Sequence, residues 1–166
     1  MRYRSYLFAL AQQAVPETFP VALRALVYLA LHPGRLCTVA EIAGGYGISL
    51  NHLTKVVQRL AARGYIETVR GKGGGLRLAR EPAMIRVGAV VRDMEERFDL
   101  VECLDAGRQG CPLLPACALK AVLSEANRNF LATLDARTLA DVLPRGRNAG
   151  VFLQTRGGRI PVARAG

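Results

Sequence analysis

Gly45-Tyr46-Gly47-Ile48-Ser49-Leu50-Asn51-His52-Leu53-Thr54-Lys55-Val56-Val57-Gln58-Arg59-Leu60 is the stretch that decides the fold. Past its glycine-bounded link, Leu53, Val56, Val57 and Leu60 recur at helical spacing and form one apolar stripe. Asn51, His52, Thr54, Lys55, Gln58 and Arg59 fall on the other side. The predicted helix, Leu50 to Arg63, therefore opposes a core-facing stripe to a hydrogen-bonding one, with Ser49 as its N-cap and Gly64 as its end. Upstream, Thr38 and Glu41 have the spacing of a capping box for a short helix, Val39 to Gly44 or Gly45. Two brief helices joined by a tight link are the pattern of a helix-turn-helix, whose second helix enters the major groove.

On the N-terminal side, a helix is predicted from just after Pro20, with Ala22, Leu23, Leu26, Val27, Leu29 and Ala30 as its apolar face and Pro33-Gly34 as its stop. On the other side, Tyr65 to Val69 and Leu76 to Ala79 alternate like strands around the basic, glycine-rich loop Arg70-Gly71-Lys72-Gly73-Gly74-Gly75. A hairpin there is a wing: its glycines let backbone approach a groove while Arg70, Lys72 and Arg77 supply positive charge. A nucleotide-binding loop is a poorer reading, because no helix carrying Lys-Ser/Thr follows the glycines. A further helix, Ala89 to about Glu96, closes the segment.

With 166 residues, 51% of them hydrophobic, the chain can bury one sizeable core. Its net charge of +10 favours a polyanionic partner, and the distribution sharpens this. Residues 1–80 hold eleven Lys/Arg against three Asp/Glu, residues 81–143 hold seven against ten, and residues 144–166 hold five against none. Basic surface in the helix-turn-helix half suits phosphate, whose neutralisation releases counterions. No segment approaches the apolar length that spans a bilayer, and the short run after Arg2 and Arg4, ended by Gln12-Gln13, is a poor signal peptide.

Cys103, Cys111 and Cys117 cluster in one Gly/Pro-punctuated segment, Cys-x7-Cys-x5-Cys. Three clustered thiols fit metal binding in a reducing cytoplasm better than a disulfide scaffold. On softness grounds they suit zinc or an iron-sulfur core. The wide loops favour the larger inorganic core over zinc knuckles, while structural thiols that bind nothing, or that switch by oxidation, stay open. Cys37 reads as a small core residue, and His32 and His52 as weak ligand candidates. No acid/base or nucleophile pair suggests an enzyme.

After the cysteines, Leu119, Val122, Leu123, Ala126, Phe130, Leu131 and Leu134 keep helical spacing over several turns. Such a helix can pack on a second copy and place two recognition helices on a two-fold operator, or can simply cover its own core. Thr138 to Leu143 form a short helix, and the Gly/Arg-rich residues from Pro144 onward lack periodicity and read as a flexible basic tail. The fold class is thus mainly α with a small β-wing. Its organisation is a leader (1–19), a winged helix-turn-helix (20–98), a cysteine loop (99–117), a dimerisation helix with a short terminal helix (118–143) and a tail (144–166).

The series Ala22-Leu23-Arg24-Ala25-Leu26-Val27-Tyr28-Leu29-Ala30, Ile48-Ser49-x-Asn51-His52-Leu53-x-Lys55-Val56-Val57, Gly64-Tyr65-Ile66 and Arg70-Gly71-x-Gly73-Gly74-Gly75-Leu76-x-Leu78-Ala79 resembles the NsrR/IscR family of winged-helix iron-sulfur transcriptional regulators. Leu100-Val101-Glu102-Cys103, Cys111, Pro115-x-Cys117-x-Leu119 and Thr138-Leu139-Ala140-Asp141 bring it nearest to the nitric-oxide-sensing branch. The resemblance spans roughly Pro20 to Leu143. It implies a homodimeric repressor of palindromic operator DNA, in which Cys103, Cys111 and Cys117 hold a cluster, 4Fe-4S rather than 2Fe-2S, that nitric oxide attacks so that operator affinity falls. Lys120 stands where IscR-type members carry a histidine, which argues against the 2Fe-2S site. The implied DNA contacts are Ser49, Asn51, His52, Lys55 and Arg59 on the recognition helix and Arg70, Lys72 and Arg77 on the wing. One departure matters: Pro20 occupies the place of an aspartate that supplies the fourth cluster ligand, which leaves Glu17 in the leader as the substitute candidate.

Overall fold

The computed structural model describes residues 18–95, 104, 111–113 and 116–144, and the backbone of 154–155 and 158–159. Three helices come first: α1 (Thr18–Ala30), α2 (Val39–Tyr46) and α3 (Leu50–Ala62). An antiparallel hairpin of β1 (Ile66–Val69) and β2 (Gly75–Leu78) follows, then a 3-10 turn (Pro82–Met84) and α4 (Val87–Met94). Beyond the cysteine segment come α5 (Ala118–Asp135), α6 (Leu139–Val142) and the small hairpin β3 (Gln154–Thr155) and β4 (Gly158–Arg159).

α1 begins three residues earlier than its sequence predicts, with Pro20 inside the first turn. A proline is tolerated there because its missing N–H would have no intrahelical acceptor. The Glu95 carboxylate accepts the Phe19 N–H at 2.8 Å, an anion at the positive end of the helix. α2 carries the expected capping box: Thr38 Oγ1 accepts the Glu41 N–H at 3.1 Å and the Glu41 carboxylate accepts the Thr38 N–H. Ser49 does occupy the N-cap of α3, but its side chain makes no capping bond, contrary to expectation. α4 starts at Val87 rather than Ala89. Backbone bonds from Val87 N–H to Arg137 O (2.9 Å) and from Leu139 N–H to Ile85 O (2.8 Å) keep the chain extended through Arg86. In the tail, the two-residue strands of the second hairpin are too short to leave a periodic trace, and β3 lies against α2 where the sequence reads as flexible.

The core joins α1 to α3, α4 and β2, with Leu26, Tyr28, Ile42, Leu53, Leu60 and Met94 fully buried. Cys37 is part of it, as its sequence neighbourhood suggests. Its N–H and C=O both pair with Leu76 on β2 (3.0 and 2.8 Å), which fixes the wing to the loop before α2. A Cβ on Gly75 would stand 2.9 Å from the Cys37 carbonyl oxygen, so only glycine allows this approach. Burial pushes the Cys37 thiol up from its ordinary range. His32 is also buried, stacked on Tyr28 at 4.5 Å between ring centroids, with Nδ1 2.8 Å from the Tyr28 carbonyl oxygen. A carbonyl only accepts, so Nδ1 carries the proton, and this histidine serves the core.

α5 behaves differently. None of its eighteen residues is buried, and Leu119 and Val122 are each 60% exposed. It is held at its C-terminal end, where the Asp135 carboxylate pairs with Arg92 of α4. Gly88 of α4 allows this seam, because a Cβ there would lie 2.1 Å from Asp135 Oδ1 and 2.9 Å from its backbone nitrogen. The chain then returns to the body through Leu139, which is fully buried.

Candidate nucleic-acid interface and cysteine segment

The four apolar residues of the α3 stripe are all in the core, which turns the opposite side outward. Asn51 and Lys55, one turn apart, are exposed there, and so is Ser49. The absence of a capping bond leaves the Ser49 hydroxyl available to an outside partner. His52 is half-buried. Arg59 is half-buried too, and its guanidinium reaches the Asp93 carbonyl oxygen on α4 at 3.4 Å, so within this chain it serves as a strut between helices.

On the wing, Arg70 and Lys72 at the tip are exposed. Gly71 and Gly73 there have φ of 103° and 81°, a left-handed backbone that makes the turn tight. Arg77 is exposed on β2 and sits directly across from Glu67, which it meets at 2.7 Å. The three wing cations therefore differ: the two at the tip have no carboxylate partner among the described ion pairs, while Arg77 shares its charge with its neighbour.

Sequence spacing gives no sign of Asp93. Its carboxylate accepts the Tyr65 hydroxyl at 2.6 Å and the Arg63 guanidinium at 3.2 Å, while its carbonyl takes Arg59. One α4 residue thus ties the end of the recognition helix and the root of the wing to a single point. Burial first, then the hydrogen bond to Asp93, drives the Tyr65 phenol far above its usual range, so it stays a donor. Arg80 lies over the Tyr65 ring at 5.2 Å and donates to the Arg63 carbonyl. Partners 28 to 34 residues apart leave no local pattern to find.

Of the cysteine trio, Cys103 lies outside the described residues, as does Glu17. Cys111 is exposed and Cys117 half-buried, and both are free thiols. Cys117 occupies the N-cap of α5 without making a side-chain capping bond. Its sulfur is left for another partner beside the positive end of an eighteen-residue helix. Two soft donors with five residues between them in sequence, one exposed and one half-buried, suit a thiolate-bound metal or cluster. Among the described residues no three His, Cys, Asp or Glu side chains converge. Pro20, in the first turn of α1, offers no side-chain donor.

A recognition helix with its polar side outward, a basic wing and a fixed three-helix core define a winged helix-turn-helix transcriptional regulator, not an enzyme. Solved structures share this architecture: the cysteine regulator CymR of B. subtilis superposes with a TM-score of 0.62 at 23% identity, covering 77% of this chain and 94% of that one. IscR of T. potens superposes with a TM-score of 0.61 at 27% identity, covering 80% and 93%. The chain belongs to the Rrf2 family, described as iron-dependent transcriptional regulators, whose pattern matches residues 15–145. It is 49% identical to the HTH-type transcriptional regulator NsrR of Bacillus subtilis over 123 residues, 74% of this chain and 84% of the relative. NsrR of Geobacillus kaustophilus is 46% identical over 138 residues, 82% of this chain and 94% of the relative. No helix among the described residues is long and apolar enough to cross a membrane.

Proposed function

We propose that the protein is a homodimeric cytoplasmic repressor that holds palindromic operator DNA and releases it in response to nitric oxide, sensed through an iron-sulfur cluster on Cys103, Cys111 and Cys117. The observation that carries this reading is α5, an eighteen-residue helix leaving the cysteine segment with an apolar stripe and no buried residue. Such a stripe is costly to leave in water, and a second copy of the same helix is the partner that also sets two recognition helices at half-site spacing. The likeness to NsrR proteins and the family's iron dependence support the choice of signal and metal.

The cluster, 4Fe-4S in this reading, supplies iron that nitric oxide can attack. The chain's own residues do the rest. Cys111 and Cys117 bracket the lead into α5 in sequence, so what the thiols hold would set how that lead enters the helix. At the far end of α5, Asp135 grips Arg92 on α4, and one residue further along α4 Asp93 grips Arg59, Arg63 and Tyr65. A shift of α5 is thereby delivered to the recognition helix and the wing together. With Pro20 lacking a side-chain donor, Glu17, water, a small thiol or another carboxylate would take the fourth place, and an incompletely ligated iron would be more open to nitric oxide and oxygen.

Stepwise addition of nitric oxide to anaerobic protein bound to a duplex of its own selection tests this. Release of DNA in step with loss of the visible iron-sulfur absorption supports the proposal. Zinc in place of iron, or DNA binding indifferent to nitric oxide but responsive to thiol oxidants, removes the sensor reading and leaves the regulator.

A further inference from the structure

Leu50 is the apolar member of a surface otherwise made of polar and charged groups. It opens α3, is 50% exposed, and stands between Ser49 and Asn51, both exposed. Leu50 is outside the buried core cluster, to which Leu53 and Val57 belong. One turn on, Thr54 donates its hydroxyl to the Leu50 carbonyl at 2.7 Å, so that hydrogen is spent inside the helix. The first turn of the helix therefore presents an apolar spot flanked by Ser49, with its hydroxyl uncommitted to the cap, and by the Asn51 amide.

The N-terminal residues of a recognition helix face base edges, and the major groove has one apolar feature, the C5-methyl group of thymine. We propose that Leu50 is a specificity residue that packs on a thymine methyl, with Asn51 beside it hydrogen-bonding an adjacent base edge, so that each half-site requires thymine at one position. This rests on the reading of α3 as the DNA-reading helix. Its own content is narrower: a methyl group, not a phosphate or a hydrogen bond, is what this position reads.

The test begins by letting full-length wild-type protein select duplexes from a random-sequence pool. The selected duplex is then resynthesised with deoxyuridine replacing each thymine in turn, which deletes the methyl and nothing else. One thymine per half-site should stand out, its replacement weakening wild-type binding about fourfold, the worth of one buried methyl. Leu50→Ala should fold as wild type, because the side chain is half in water, and should bind thymine and uracil duplexes alike. Wild-type protein indifferent to every replacement, or Leu50→Ala retaining the full uracil penalty, would overturn the assignment. Asn51→Ala and Lys55→Ala keep the two readings apart. If both bind like wild type, α3 itself is not the reading helix; if both weaken binding while uracil has no effect, α3 reads DNA and Leu50 does not read a methyl.

Discussion

The winged-helix body and the α5 arm both carry apolar residues at helical spacing, yet the α3 stripe is wholly buried whereas the α5 stripe runs from half-buried to exposed. On α3 the residues Leu53, Val56, Val57 and Leu60 are buried. On α5 the corresponding pattern leaves Leu119 and Val122 60% exposed and Phe130 38% exposed. Periodicity states that a helix has an apolar face; only the surrounding elements state what covers it. The α3 stripe is covered within one chain, whereas much of the α5 stripe is not, and on the proposed dimer that division separates stability from assembly.

Substitutions should respect this division, and the largest effect belongs to the body. Leu60→Ala is expected to cost about 2–5 kcal/mol of unfolding free energy in urea titration, because the side chain is fully buried among packed neighbours. Val122→Glu in the arm should leave protomer stability within about 0.5 kcal/mol, as expected for a surface site. It should nevertheless convert a dimer to monomers in sedimentation and weaken DNA binding by about 100-fold through lost bivalency. An arm variant that unfolded the protein, or a body variant that did not, would break the comparison.

The seam between the two regions comes next. Gly88→Ala should cost about 1–3 kcal/mol, since the new methyl collides with Asp135 and no retreat is open to its backbone nitrogen. Its urea transition and its dimer fraction should both fall, which marks it as neither purely body nor purely arm.

A smaller effect lies within the body at Glu41. Burial alone would raise its carboxyl, but bonds from Arg35 and Tyr28 outweigh burial and hold it below the ordinary value. A group depressed in the folded state stabilises above its unfolded pKa and loses that contribution as pH falls through the folded pKa. Glu41→Gln should therefore lower stability by about 1 kcal/mol near neutrality, less than a buried hydrogen bond to a charged group because solvent screens the half-exposed Arg35. The gap should close as the solution is acidified below the carboxylate range, read by melts at stepped pH.

The smallest effects are on the wing and touch neither fold nor assembly. Lys72→Ala should lower the salt slope of DNA binding by about 0.9, one phosphate contact. Arg77→Ala should lower it less, because Glu67 already neutralises part of that charge, and Glu67→Gln should raise affinity.

Much of the body is legible in the sequence because its signals are local. The α3 stripe, the Thr38–Glu41 capping box and the glycine-rich wing each lie within a few residues, and all three stand in the structure. The ties between elements are not local. Asp93 holding Tyr65 and Arg63, Asp135 holding Arg92, and Glu95 capping α1 join residues 28 to 76 positions apart. No spacing rule reaches so far. Ser49 shows the opposite error: the right residue at the right place, with its hydroxyl left out of the cap. Of the three cysteines that the sequence marks as candidates, Cys103 lies outside the described residues, Cys111 is exposed and Cys117 half-buried.

Native mass spectrometry of anaerobically purified protein tests the division and the proposed sensor together, because it reads assembly and inorganic mass in one spectrum. A dimer with one 4Fe-4S unit on each protomer is the expected result. A monomer would contradict the role given to α5, and zinc, or no inorganic mass even after anaerobic reconstitution, would contradict the cluster.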